Sequence, residues 1–321
     1  MRFRRLGNTG LLVSEISFGT WLTFAHQLRK DDADRLVGVA LDAGINYFDT
    51  ADMYGKGHAE SILGPALSSR AIRQDYVVGT KVFFPMGEGV NNRGLSRKHI
   101  FDSIHDSLKR LQLDYVDIYY CHRYDEDTPL VETIQAMQDL IHQGKILHWG
   151  VSQWTSDQIA EAASKCKANG WIPPAVNEPV YNLLDRRVEA RVLRVCQHHG
   201  LGVMTFSPLA QGMLSGKYLD SRPEGSRGAH DRINVFMRDR LSDETAQERV
   251  ASFVKLADDA GIPPTRLALA FLLRNPAVDS LVVGATSEAQ LRDNAAASGY
   301  KLSDHLYDDI DDIFPAPTPE T

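Results

Sequence analysis

Cysteine is scarce in this sequence: among 321 residues there are three, Cys121, Cys166 and Cys196, odd in number, far apart and without a C-x-x-C pair. A disulfide framework is thereby excluded, and a reducing, cytoplasmic compartment is expected. Long hydrophobic runs are also missing, since nothing approaches the ~18–20 apolar residues that cross a bilayer, so no membrane insertion is expected. The basic start Met1-Arg2-Phe3-Arg4-Arg5 leads into a stretch broken by Glu15, with no apolar signal core or cleavage site, which argues against secretion. Cations are not in surplus: 35 Lys and Arg face 42 Asp and Glu, a formal net charge of -7, and nucleic acid is therefore not expected as a partner. No G-x-G-x-x-G follows the first apolar strand, which removes the usual Rossmann fingerprint. The segment Gly212-Met213-Leu214-Ser215-Gly216-Lys217-Tyr218 falls short of a P-loop, with one residue too few between its glycines and no Ser or Thr after the lysine. His198-His199 is adjacent rather than spaced i, i+4 and lacks nearby carboxylates, so no metal site is expected.

What is present is ordinary globular composition, 43% hydrophobic and 24% charged, enough for a large core. Short apolar runs rich in β-branched and aromatic residues alternate with stretches of helical period. The runs predict eight strands, at residues 16–19, 47–50, 76–81, 116–120, 147–152, 175–177, 202–206 and 280–284. Amphipathic spacing predicts helices at 31–43, 97–111, 130–143, 156–169 and 186–199. Ser96 and Thr155-Ser156-Asp157 supply start signals, and Gly44, Gly144, Gly170 and Gly200 supply stops. Without a linker or a shift in composition, this order predicts an α/β fold with one domain over residues 1–321: a (β/α)8 TIM barrel. Two additions are expected on it, a long polar loop at 214–241 after the seventh strand and a C-terminal helix at 303–314, with 315–321 as a flexible tail.

In such a barrel the chemistry belongs at the C-terminal strand ends, so the polar residues that close the apolar runs are the candidates. Asp49 closes the second run, Lys81 the third, His122 the fourth and Ser152 the fifth, and Tyr54 follows Asp49 on the adjoining loop. Charges beside apolar strands are costly unless paired, which makes Asp49 and Lys81 natural partners. That pair alone fits a structural ion pair as well as catalysis; four such groups converging point to a reductase. An ammonium next to Tyr54 is expected to lower the phenol's pKa and to stabilise the charge left after proton donation. His122 is expected to hold the substrate oxygen from a second side.

At this point the sequence resembles the aldo-keto reductases and, within them, the branch of voltage-gated potassium channel β subunits and their bacterial relatives. The likeness spans residues 1–314 and rests on Phe18-Gly19-Thr20-Trp21, Phe48-Asp49-Thr50-Ala51-Asp52-Met53-Tyr54-Gly55, Asp117-Ile118-Tyr119-Tyr120-Cys121-His122-Arg123 and Phe206-Ser207-Pro208-Leu209-Ala210-Gln211-Gly212. The resemblance implies a catalytic tetrad of Asp49, Tyr54, Lys81 and His122, with NADPH/NADP+ as cofactor. In the channel subunits the histidine position is typically asparagine, so His122 favours an active reductase over a mainly regulatory subunit. Cofactor contacts implied by the resemblance are Gly19, Thr20, Trp21 and Asp49, Ser152, Gln153 and Glu178 at the nicotinamide amide, and Phe206 against its ring. Ser207, Pro208, Leu209, Gln211, Gly212 and Lys217 are implied for the pyrophosphate, Gly284, Thr286, Gln290, Asp293 and Asn294 for the adenosine end, and Arg227 for the 2′-phosphate, which only NADPH carries. Trp21, Tyr54, Phe83, His122 and Tyr124 are expected to line the pocket of a small-molecule carbonyl substrate, with Phe84 and Trp154, also just beyond strand ends, as further candidates, and a homo-oligomer is implied by resemblance alone.

Three positions depart from the usual pattern: Gln153 for asparagine or arginine, Glu178 for glutamine and Phe206 for tyrosine or tryptophan. Of these Glu178 matters most, because an ionised carboxylate could accept from a carboxamide but could not donate to it, and would favour the oxidised cofactor. Two other functions remain open at this stage: a redox-sensing NADP(H) module acting on a protein partner, and a Schiff-base enzyme using Lys81 as nucleophile.

Overall fold

Alternation along each apolar run decides the architecture, because period-2 strands send successive side chains to opposite faces and both faces here are buried. The computed structural model describes residues 1–21, 24, 30–221, 226, 228 and 237–317, with the Arg238 side chain left aside. Two short strands, β1 (Phe3–Arg5) and β2 (Leu12–Ser14), pair antiparallel as a hairpin. Eight parallel strands follow: β3 (Ile16–Gly19), β4 (Tyr47–Asp49), β5 (Val77–Val82), β6 (Val116–Cys121), β7 (Ile146–Ser152), β8 (Val176–Glu178), β9 (Gly202–Phe206) and β10 (Ser280–Val283). They close into a barrel in chain order, with β10 bonded to both β3 and β9. This is the expected (β/α)8 architecture.

The helices are α1 (Lys30–Asp42), α2 (His58–Ser68), α3 (Arg97–Leu111), α4 (Leu130–His142), α5 (Ser156–Asn169), α6 (Val192–His199), α7 (Arg238–Leu241), α8 (Glu244–Asp259), α9 (Pro264–Leu273), α10 (Glu288–Ala295) and α11 (Asp304–Ile313). In α3 the buried Ile100, Ile104, Leu108 and Leu111 form one stripe, and the Ser96 hydroxyl accepts the His99 N–H at its start. A capping box between Thr155 and Gln158 opens α5, and Gly170, at φ 66°, closes it in the left-handed region that glycine tolerates best. Among the described residues no helix is long and apolar enough to cross a membrane.

Every predicted strand boundary lies within one residue of the observed one. Glu178 accordingly ends β8 rather than following it. The helix expected at 186–199 begins only at Val192, after a 3-10 turn at Arg187–Glu189. Arg186 explains the break, since its guanidinium reaches across to Asp311 Oδ1 (2.6 Å) and the Phe314 carbonyl (2.5 Å) at the end of α11.

Inside the barrel, Tyr47, Val77, Ile118, Tyr120, Val176, Met204 and Val282 pack as one cluster, capped by Leu6 and Val13 from the hairpin. Two glycines make that interior possible. A Cβ on Gly79 would stand 1.9 Å from the Tyr47 hydroxyl, and one on Gly150 would stand 2.8 Å from the Tyr120 ring. The two tyrosines thus meet at the barrel axis, hydroxyl to hydroxyl at 3.0 Å, and form the floor on which the polar strand ends sit.

Candidate active site

Two residues further along each strand, the inward positions turn from apolar to ionisable: Asp49 ends β4, Lys81 is the penultimate residue of β5, Glu178 ends β8 and His122 follows β6. Lys81 Nζ donates to both Asp49 oxygens (2.5 and 2.6 Å), to the Thr50 carbonyl (3.1 Å) and to Tyr54 Oη (3.4 Å). Glu178 Oε2 lies 3.4 Å from the same nitrogen, yet within the described residues it receives no hydrogen bond. Tyr54 is brought over the lysine by the loop between β4 and α2, and its ring meets the edge of His122 at a centroid separation of 5.9 Å. The four residues of the expected tetrad therefore converge.

Burial decides which of these groups hold protons. Lys81 is 1% exposed, which alone would favour the neutral amine, but Asp49, Glu178 and Tyr54 together hold it charged, well above its ordinary value. A charged, bidentate ammonium is no nucleophile, which weighs against the Schiff-base alternative. Desolvation raises Asp49, and Lys81 offsets that only in part, so the net shift is upward. Glu178 is pushed up to about 8, by burial first and by the Asp49 charge second, so near neutral pH it is a carboxylic acid. His122 is driven well below its ordinary value by burial and by the Lys81 and Arg123 charges, leaving a neutral imidazole whose buried Nδ1 has no partner among the described residues.

The expectation that Lys81 lowers the Tyr54 pKa does not hold for this arrangement. Lysine does pull the phenol down, but burial, Asp49 and Glu178 outweigh it and the net shift is upward. Tyr54 Oη therefore keeps its proton throughout the physiological range.

Two cavities open above the tetrad. The first, about 270 Å³, runs along the ends of β9 and β10 towards α10. Of the residues expected to bind cofactor, it is lined by Gly19, Trp21, Asp49, Glu178 and Phe206, by Ser207, Pro208, Leu209, Gln211, Gly212 and Lys217, and by Gly284, Thr286, Gln290, Asp293 and Asn294. Sequence reasoning missed Ser215, Ser226, Thr265, Val282, Val283 and Ala285. Thr265 had no signal of its own; it is placed there by its 2.6 Å bond to Asp293. Thr20 lies outside both cavities, its hydroxyl and N–H each donating to the Asp49 carbonyl at 3.0 Å, which makes it a support of the strand end. Arg227 lies outside the described residues.

The second cavity, about 360 Å³, is lined by Trp21, Tyr54 and His122 as expected for substrate, and also by Ser152 and Gln153. Of the aromatics expected beyond the strand ends Phe84 also lines it, Phe83, Tyr124 and Trp154 do not, and Arg123 lines it without having been expected. Phe83 stands behind Phe84, edge to face at 5.3 Å, and Tyr124 packs on Trp154 at 4.8 Å. Both are displaced by their neighbours because period alone does not say which of two adjacent aromatics faces the mouth. Tyr54, Trp21, Glu178 and Phe206 line both cavities, so the phenol stands where the two join.

The loop after β9 carries positive φ at Ser207 (55°), Ala210 (48°), Gln211 (61°) and Gly212 (97°). Three of these are not glycine, and such strain is retained mainly where a concave backbone serves a ligand. Lys217 folds over it, so close that a Cβ on Gly212 would stand 3.3 Å from Nζ; no carboxylate lies within ion-pair distance of that ammonium among the described residues. A strained backbone cradle with a cation that faces no carboxylate among the described residues, leading to a buried carboxyl oxygen that receives no hydrogen bond, fits a dinucleotide laid from pyrophosphate to nicotinamide.

Residues 15–314 match the family model described as "Aldo/keto reductase family". Over 300 residues, 92% of this chain and 91% of the relative, the sequence is 42% identical to the "Probable voltage-gated potassium channel subunit beta" of Oryza sativa subsp. japonica. It is 40% identical over 300 residues, with the same shares of 92% and 91%, to the protein of that description from Arabidopsis thaliana.

Proposed function

The chain belongs to the aldo/keto reductase family, and from that premise we propose that it is an NADPH-dependent oxidoreductase reducing an aldehyde or ketone to an alcohol, with Tyr54 as general acid. The observation that carries this reading is the phenol at the junction of two cavities, 3.4 Å above a buried ammonium. When bound, the reduced dinucleotide supplies the hydride that reaches the carbonyl carbon. Tyr54 Oη gives its proton to the carbonyl oxygen, and Lys81 stabilises the phenolate as it forms. Asp49 holds Lys81 charged and aimed. Neutral His122 offers a second hydrogen bond to the same oxygen, which fixes the carbonyl plane. Trp21 and Phe84 keep bulk water off the reacting atoms.

Towards the cofactor, Gly212 and the strained loop with Lys217 would hold the pyrophosphate, and Glu178 with Ser152 the carboxamide. The Ser152 hydroxyl already donates to the Glu178 carbonyl at 2.9 Å, so it meets a ligand as an acceptor. Arg227 would clamp the 2′-phosphate, so Arg227→Ala should weaken NADPH far more than NADH in a binding titration. Residues 1–314 act as one unit, and the protein works in the cytoplasm as a homo-oligomer; part of the segment 315–321 lies outside the described residues. The test is loss of NADPH absorbance with a panel of aldehydes: Tyr54→Phe should lose about 10²–10⁴-fold in kcat. Full turnover in that variant would refute the assignment.

A second reading is favoured by the names of the two plant relatives: an NADP(H)-binding regulatory subunit that reports redox state to a channel. Tight cofactor binding without turnover of any aldehyde would select it.

A further inference from the structure

We infer that the second cavity selects carbonyl compounds carrying an anionic group, carboxylate or phosphate, held by Arg123. This rests on the reductase reading and adds to it a class of substrate. Arg123 sits on the loop after β6, next in sequence to His122. Its guanidinium lies over the Phe84 ring at 5.4 Å, Phe84 meets His122 at 4.9 Å, and His122 meets Tyr54. The cation is therefore held one cation–ring and two ring–ring contacts from the proton donor, on the substrate side, and it lines the second cavity but not the first.

What singles it out is its poor compensation. One N–H donates to the His122 carbonyl at 2.5 Å, and among the described residues that is its hydrogen bond and no carboxylate lies within ion-pair distance. The other arginines of the cavity differ: Arg187 and Arg240 both close on Asp185, at 2.8 and 3.1 Å. The remaining acid in the cavity, Glu178, is protonated near neutral pH. Three guanidiniums thus face one ionised carboxylate. A half-buried guanidinium stays charged and keeps most of its five donors for a planar or tetrahedral oxyanion, and stacking on Phe84 fixes its plane without spending those donors. Burying such a charge without a partner is costly, and a ligand that brings the partner recovers that cost. The spacing calls for an anion a short carbon chain away from the carbonyl.

The experiment compares matched aldehydes that differ by the charge: 4-oxobutanoate with butanal, and glycolaldehyde phosphate with glycolaldehyde. In the wild type kcat/KM should favour the anionic member of at least one pair by about ten- to a hundredfold, the range of a charge-assisted contact. Arg123→Gln should collapse that ratio towards one, chiefly through KM, and Arg123→Lys should retain part of it. Preference in the first pair assigns a carboxylate, in the second a phosphate. Equal kcat/KM within both pairs in the wild type, with neutral aldehydes turned over, overturns the inference and leaves the reductase reading intact. Should no aldehyde be reduced, the reductase reading falls, and calorimetry with succinate and inorganic phosphate on the NADP+-loaded protein still decides this one. Arg123-dependent binding of either anion upholds Arg123 as the group that holds the anion, and no binding overturns it.

Discussion

Glu178 has a proton to lose within reach of ordinary buffers, and that gives the site a pH dependence that glutamine at this position could not. Below about 8 its carboxyl is neutral and carries both an O–H donor and an acceptor, so it can serve a carboxamide as glutamine would. Above that value it becomes a carboxylate, and a nicotinamide held there as proposed would be favoured in its cationic, oxidised form. The affinity for NADP+ relative to NADPH should therefore rise between pH 6.5 and 9 in the wild type and stay level in Glu178→Gln; parallel fluorescence titrations at the two pH values check it. Stability carries the same signature. A carboxyl whose folded pKa is raised is satisfied below its unfolded value of 4.5 and costs stability as pH climbs towards 8. Cofactor-free Glu178→Gln should consequently melt above the wild type at pH 9, with the gap closing towards pH 5. As a departure from the family pattern Glu178 was legible in the sequence. Its proton affinity was not, nor was the upward shift of Tyr54, because both depend on Asp49 and Lys81 arriving from separate strands at distances no spacing rule supplies.

Elements were legible where local chemistry closes them. Thr155 and Gln158 open α5 by reciprocal bonds, and Gly44, Gly144, Gly170 and Gly200 end their helices at φ of 80°, 67°, 66° and 76°. By contrast α2 gave little signal, since Pro65 lies inside it and Gly64 weakens the pattern. That glycine is there for tertiary reasons: a Cβ would stand 1.8 Å from the Leu111 carbonyl at the end of α3. The loop after β9 was read as a cradle by resemblance, while its backbone conformation had no local cue in Ala210 or Gln211. Gly212→Ala tests the loop as an element. At φ 97° the new methyl strains the backbone, at about 1–2 kcal/mol, and it would stand 3.2 Å from Lys217 Cε. Thermal midpoint should fall by a few degrees, and NADP+ should bind more weakly as Lys217 is pushed off the loop. Loss of stability with an unchanged NADP+ affinity would separate the cradle from the ligand.

The barrel as a whole divides its labour between its ends. Closure could be argued from eight runs and five crossover helices in the sequence, but the plug beneath could not, because β1 and β2 are three residues each and β1 carries Arg4 and Arg5 where a strand signal would be sought. Arg4 ties the hairpin to the strand N-termini, pairing with Glu15 at 2.8 Å and donating to the Leu273 and Val278 carbonyls at 2.7 and 2.6 Å. Leu6, wholly buried, fills the lower end of the barrel core while the tetrad occupies the upper end. Leu6→Ala should cost about 2–5 kcal/mol as a core truncation. With roughly 2–4 °C of midpoint per kcal/mol in a large domain, the loss is easily read by calorimetry. Saturating NADP+ should then raise the midpoint of Leu6→Ala by the same increment as in the wild type. Ligand stabilisation depends only on concentration relative to Kd, and sites at opposite ends of a rigid barrel combine additively to within about 0.5 kcal/mol. A smaller increment in the variant would mean that the plug sets the geometry of the mouth through the Tyr47–Tyr120 floor, and Gly79→Ala, which crowds that floor directly, should then reproduce the effect.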